Sequence, residues 1–303
     1  MRGFLLRTWH GDLGYSFRTS PVAMAAALIA FICLFCAVFA NVVAPHNPFD
    51  LATLELSDAF LPPLWLADGN PKYLLGTDDQ GRDILSALMF GARISLMVGL
   101  ASVALSAAVG VTLGLLAGFV GGTLDAFIMR VCDVMLSFPV ILIALLIAGV
   151  GRALFPNAPS AMVFGVLILS ISLTGWVQYA RTVRGSTMVE RHKEYVQAAR
   201  LTGVAPLRIM RRHVLPNVMG PVMVLATIQV ATAIITEATL SFLGVGAPPN
   251  SPSLGTLIQV GNKFLFSGNW WITVFPGLML VLIALSVNLL GDWLRDALNP
   301  RLR

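Results

Sequence analysis

Ionisable side chains are what this 303-residue chain has least of. Asp, Glu, Lys and Arg make up 12% of it, against roughly 25% in an average soluble domain, while 57% is hydrophobic. A soluble fold of this length cannot hide so much apolar surface, so lipid must cover part of it. Cysteine is scarce too: Cys33 and Cys36 share one apolar run and Cys132 lies near another. That placement excludes a disulfide framework or a structural zinc site and suits small apolar packing residues. Histidine is limited to His10, His46, His192 and His213, all outside the apolar runs, so no Ser–His or His–metal constellation forms within them. The lysines are Lys72, Lys193 and Lys263, preceded by Pro71, His192 and Asn262. None closes a Gly-Lys-Ser or Gly-Lys-Thr loop, so this chain cannot cradle ATP phosphates in that way.

What the chain has is long stretches with little or no charge. A helix needs roughly 20 apolar residues to cross the hydrocarbon layer, and such windows occur at 22–44, 94–119, 125–150, 161–180, 218–236 and 272–291. The expectation is an all-α integral membrane protein with six transmembrane helices. The first window is too long for a signal-peptide core and is read as a retained helix. The third is marginal unless Arg130 and Asp133 belong to its first turns, where a spacing of three sets them side by side. The fifth ends at Glu237, which leaves this acid at the outer end of the span. Residues 94–303 form the core domain, preceded by a segment 1–21, the first span, and a loop 45–93 in which Pro45, Pro48, Pro62, Pro63 and Pro71 forbid a long helix.

Orientation follows from the placement of Lys and Arg. Arg2, Arg7 and Arg18 precede the first span, Arg181 to Arg212 crowd the loop 181–217, and Arg295, Arg301 and Arg303 end the chain. The opposite loops are poorer in Lys and Arg, and the long one is acidic through Asp50, Glu55, Asp58, Asp68, Asp78, Asp79 and Asp83. The positive-inside rule puts both termini in the cytoplasm, and the same distribution argues against nucleic-acid binding. Trp270 and Trp271 read as an interfacial anchor, and Gly244 to Gly255, with Pro248, Pro249 and Pro252, as a stiff outer loop.

The loop 181–217 is too patterned for a connector. From Glu190 to Thr202, Tyr195, Ala198, Ala199 and Thr202 recur at helical spacing, with Lys193, Glu194, Gln197 and Arg200 on the other sides. Gly203 stops that helix, Ala205 and Pro206 open a second, and Pro216 is expected to end it. The product is a compact knob on which Ala198 and Ala199 let another protein approach the backbone closely.

These residues resemble a known family. Gln197, Ala198, Ala199, Gly203, Leu215 and Pro216 match the spacing of the "EAA" signature of ATP-binding-cassette importer permeases, with Gln197 in place of its Glu and His213 where Ile is frequent. GTDDQGRDILSALMFGARISL (76–96), DVMLSFP (133–139), YARTVR (179–184), RHVLPN (212–217), LSFLGVG (240–246) and NLLGDWLRDALNPRLR (288–303) are similar to the C-type permease of dipeptide, oligopeptide and nickel importers. The resemblance implies a bacterial inner membrane subunit with a type I importer permease fold and a cytoplasmic coupling helix. It also implies a second homologous permease, two ATPase subunits that bind ATP and Mg, a periplasmic solute-binding protein, and no cofactor in this chain. The coupling residues it marks are Glu194, Tyr195, Gln197, Ala198, Ala199, Gly203, Ala205 and Pro206. Glu237, Arg130 and Asp133 are the candidates for the pathway. The alternative, a secondary transporter or channel subunit not driven by ATP, usually calls for an ion site near the bilayer midplane, and no acid occupies the centre of a charge-free window.

Overall fold

The computed structural model describes residues 12–49, 54–156, 159–248 and 250–298. Arg2, Arg7 and His10, Asp50 in the long loop, Pro249, and Arg301 and Arg303 lie outside them. The described residues are helical apart from loops and one isolated bridge, Thr77 with Asp83. In chain order the helices are α1 (Asp12–Thr19), α2 (Pro21–Val38), α3 (Ala40–Val43), α4 (Ile84–Val120), α5 (Gly122–Leu136), α6 (Val140–Leu154), α7 (Ser160–Glu190), α8 (Glu194–Leu201), α9 (Pro206–Ile209), α10 (Leu215–Phe242), α11 (Leu254–Asn262) and α12 (Trp271–Leu298). A π-helical turn, Met210–Val214, joins α9 to α10.

Among the described residues, five stretches are long and apolar enough to cross a bilayer: α2, α4, α7, Pro206–Phe242 and α12. The expected third span is not one straight helix. It is α5 and α6, 15 residues each, bent by 88° where they meet. Each half is about 22 Å long at 1.5 Å per residue, short of the roughly 30 Å hydrocarbon layer. The break lies at Ser137–Pro139, because proline has no N–H to donate and pushes its predecessor out of the helical region. Other boundaries move outward. α4 starts ten residues before the expected 94, and α7 runs through Arg181 and Arg184 to Glu190, because polar residues at a helix end do not break it when they find partners. Pro216 does not end a helix. It sits in the first turn of α10, where its missing N–H costs nothing, and the π turn carries the chain through.

Helix starts are written locally. Ser20 caps α2 by accepting from the Ala23 N–H, with Pro21 at the first position, and Asp83 caps α4 by accepting from the Ser86 N–H. α4 is the axis of the molecule and packs most closely on α7. A Cβ built on Gly110, Gly114 or Gly118 would come within 2.4 Å of the Trp176 carbonyl oxygen, 2.5 Å of that of Ala180 and 2.7 Å of Thr187 Cβ. Glycine at four-residue spacing is what lets two backbones touch in lipid. One core joins α4, α7, α10 and the 194–214 segment, and a second joins α2, α4, α11 and α12.

The loop before α4 is the irregular lobe expected, though it ends at Asp83. Asp78 and Arg82 form a buried ion pair at 2.7 Å, Tyr73 donates to Asp58 at 2.7 Å, and the buried Trp271 donates from Nε1 to the Thr77 carbonyl at 3.1 Å. Of the two tryptophans expected as an anchor, then, only Trp270 is exposed, and Trp271 pins the lobe to α12. The loop after α10 contains a helix that its short apolar stretch did not announce, α11, capped by Ser253 and half buried in the second core.

Candidate docking surface and central cavity

The knob exists and is tied to both long helices that flank it. At the end of α7, Glu190 receives Lys193 Nζ at 2.7 Å and the Tyr195 hydroxyl. That hydroxyl also accepts from Asn217 Nδ2 of α10 at 3.0 Å. Its pKa is pushed up to about 12, by burial and by the Glu190 carboxylate. Gln197 donates to the His192 carbonyl at 3.0 Å, so this amide braces the turn. Arg191 donates to the Gly118 carbonyl at 2.9 Å, and the Arg200 guanidinium lies over the Phe119 ring at 5.0 Å. These contacts fasten the knob to the end of α4.

The faces of α8 differ from expectation. Val196 and Ala199 are buried in the first core, whereas Glu194, Ala198 and Arg200 are exposed and Tyr195 is half exposed. Ala199 therefore packs inward, and Ala198 alone of the two alanines is open to a partner. The reason is Val196: with Ala199 it makes the i, i+3 apolar pair that the core takes. Gly203 has φ +76° with nothing near the position of a Cβ, so its backbone conformation is what glycine supplies there. Ala205 precedes Pro206 at the start of α9, and with Leu207, Arg208, Arg211 and Arg212 it lines a shallow hollow. Leu201 is 89% exposed beside Gly203, and Leu207 is exposed too. Sequence reading missed both leucines, although an apolar residue opposite the buried pair of a short helix was the signal.

Between α4, α6, α7 and α10 lies a cavity of about 340 Å³. Ser102 and Ser106 of α4, Thr174 and Gln178 of α7, and Gln229, Thr232 and Thr236 of α10 contribute its polar groups, and no ionisable residue is among those lining it. The Ser106 hydroxyl donates to the Ser172 carbonyl at 3.2 Å, and Ser172 donates to that of Ser102 at 3.1 Å, which stitches α4 to α7 behind the cavity.

The three pathway candidates are elsewhere. Glu237 is fully buried, five residues inside the end of α10, and its Oε1 accepts from the Ser241 hydroxyl at 2.7 Å. Ser95 of α4 and Ser253, the cap of α11, stand beside it, so it joins three helices rather than ending a span. Asp133 pairs with Arg181 of α7 and not with Arg130. At the bend, α5 turns Asp133 toward α7, while Arg130 is exposed. On the same side, Asp125 receives both Nε and Nη2 of Arg184, the latter at 2.7 Å.

Long apolar helices around a polar-lined cavity, with a braced helical knob between two of them, describe a transport subunit of a membrane. Residues 110–303 match the family described as binding-protein-dependent transport system inner membrane component, and the chain belongs to that family. It is a multi-pass permease, and the family is one of transporters rather than enzymes. The chain is 41% identical to the dipeptide transport system permease protein of Escherichia coli strain K12, over 97% of this chain and 92% of that one. It is 40% identical to a di/tripeptide transport system permease protein of Pseudomonas aeruginosa, over 95% and 91%, and 39% identical to a dipeptide transport system permease protein of Haemophilus influenzae, over 91% of each. Among solved structures, a chain of the methionine ABC transporter MetNI in an inward-facing conformation superposes with a TM-score of 0.55 at 19% identity, covering 70% of this chain and 96% of that one. That likeness is one of fold.

Proposed function

We propose that this chain forms half of the passage of an ATP-driven importer of short peptides and is moved by ATPase subunits that grip the knob at 194–214. The full assembly is this chain, a homologous second permease, two ATPase subunits carrying ATP and Mg, and a periplasmic solute-binding protein. Both termini and the knob face the cytoplasm. The peptide substrate rests on the printed names of relatives about 40% identical over nearly the whole chain. The observation that carries the coupling role is the construction of the knob. It presents the exposed Leu201 and Leu207 inside a basic rim, while Tyr195 ties it at once to the end of α7 and the start of α10. An apolar anchor in a polar rim is what a partner's groove recognises. Bracing to two long helices turns a push on the knob into movement of those helices. Glu194, Gln197, Ala198, Gly203, Ala205 and Pro206 serve the same surface, and Ala199 serves it from within by packing on the core.

The test compares neighbouring alanines. Ala198→Arg is expected to leave the permease inserted and paired with its homologue but to abolish co-purification of the ATPases, and Leu201→Asp to do the same. Normal assembly and dipeptide uptake in both variants would refute the docking assignment. Labelling of Leu201→Cys in intact cells by an impermeant thiol reagent added outside would refute the orientation.

A further inference from the structure

Gln229 sits near the middle of α10 with 8% of its surface exposed, and Ser102 of α4 faces it across the central cavity, fully buried. Among the described residues neither the Gln229 amide nor the Gln178 amide has a side-chain hydrogen bond, and the Ser102 hydroxyl has no partner. Gln178 is exposed and Gln229 lines the cavity with its amide unpaired, so both amides are free to hydrogen-bond a molecule that enters. The cavity these groups line, about 340 Å³, is within the size range of small-molecule sites and has ample room for water. Gly175 keeps it open: a Cβ there would come within 2.7 Å of the Ser106 hydroxyl and 3.9 Å of Gln229 Nε2.

We infer that this cavity is a substrate station that reads peptide groups through neutral amides and hydroxyls, with Gln229 and Gln178 as the substrate-contacting residues, and that it is indifferent to the charge of the peptide's side chains. The inference rests on the peptide-importer reading above and adds the site and its chemistry. A carboxamide donates and accepts at once, so it pairs with a peptide N–H or C=O whatever side chain follows. A fixed charge in the same place would attract one class of peptide and repel the other. The lining is Ser, Thr and Gln with Val, Ile, Ala and Gly, and carries no fixed charge. Glu237 is one helix position beyond the lining residue Thr236 and is turned instead toward Ser241.

The experiment uses the complete transporter in proteoliposomes with alanyl-alanine, alanyl-lysine and alanyl-glutamate. Gln229→Leu, a change lipid-facing helices tolerate, is expected to lower uptake of all three by a similar factor, about tenfold for one lost hydrogen bond, with ATPase activity and assembly retained. Gln229→Glu is expected to create discrimination that the wild type lacks, favouring alanyl-lysine over alanyl-glutamate. Undiminished uptake of all three by Gln229→Leu overturns the station, as does a Gln229→Glu variant whose ratio of alanyl-lysine to alanyl-glutamate uptake equals that of the wild type. A separate arm does not depend on the substrate. With Cys33, Cys36 and Cys132 replaced by alanine, Thr232→Cys is expected to react with a charged, water-soluble methanethiosulfonate, and its failure to react also overturns the proposal. Absence of dipeptide uptake by the wild type, with Thr232→Cys still labelled, would instead strike the peptide reading and leave a neutral aqueous cavity.

Discussion

At position 198 a methyl group is exposed on the knob, and at position 199 the same methyl is buried in the first core. The two alanines test different things. Ala198→Arg places a charge on the exposed face of the knob and leaves the yield unchanged, whereas Ala199→Arg forces a charge into the core and lowers the amount of inserted protein, read as a drop in membrane-fraction yield. Two carboxylates of the lobe also behave oppositely. The Tyr73 hydroxyl, then Lys72, hold the Asp58 carboxyl below the ordinary carboxylate range, so its stabilisation of the lobe is present above about pH 4 and is lost as pH falls through the lower folded value. Burial and the neighbouring Asp78 raise the pKa of Asp79. That group favours the fold when protonated, and its contribution is lost as pH rises through its folded value. Asp79→Asn is therefore expected to stabilise the lobe at neutral pH, with the advantage vanishing in acid. Asp58→Asn is expected to weaken it at neutral pH and to flatten the acid transition. Trp271 emission on titration reads both.

Among the elements, α4 and α7 depend on the small residues between them. Gly114→Leu requires more space than the 2.5 Å to the Ala180 carbonyl allows, so the helices must part. The expected outcome is loss of folded protein in detergent, with a fall in melting temperature well beyond that of Gly149→Leu, where a Cβ meets nothing within 4 Å. The four-residue repeat is visible in the sequence, but its partner is not, because spacing marks a small face and cannot say which helix fills it. The bend between α5 and α6 was half legible for a similar reason. Pro139 announces a break, yet an uninterrupted hydrophobic window hides it, because hydropathy measures solubility in lipid and not straightness. α11 left no such window: nine residues with a buried face are too short to register, and only packing against α4, α10 and α12 makes them a helix.

For the molecule as a whole, the lobe, α11 and the start of α12 gather at one end, and the knob gathers with the ends of α4 and α7 at the other. The buried Asp78–Arg82 pair is the keystone of the first group. Arg82→Ala leaves Asp78 buried without its partner, a loss of about 3–5 kcal/mol. Faster proteolysis at 54–83 with the helical bundle intact would show it. Composition and punctuation along the chain specify the class of protein and its parts: membrane helices, because uncharged stretches of that length have no other solvent, and a patterned knob, because glycine and proline punctuate it. Tertiary structure alone decided which face of each helix is used. It buried Ala199 and exposed Leu201, gave Asp133 to Arg181, enclosed Glu237 among three helices, and left Gln229 facing a cavity. Periodicity along a chain fixes which residues share a face, whereas the direction of that face is set only by the neighbours that pack against it.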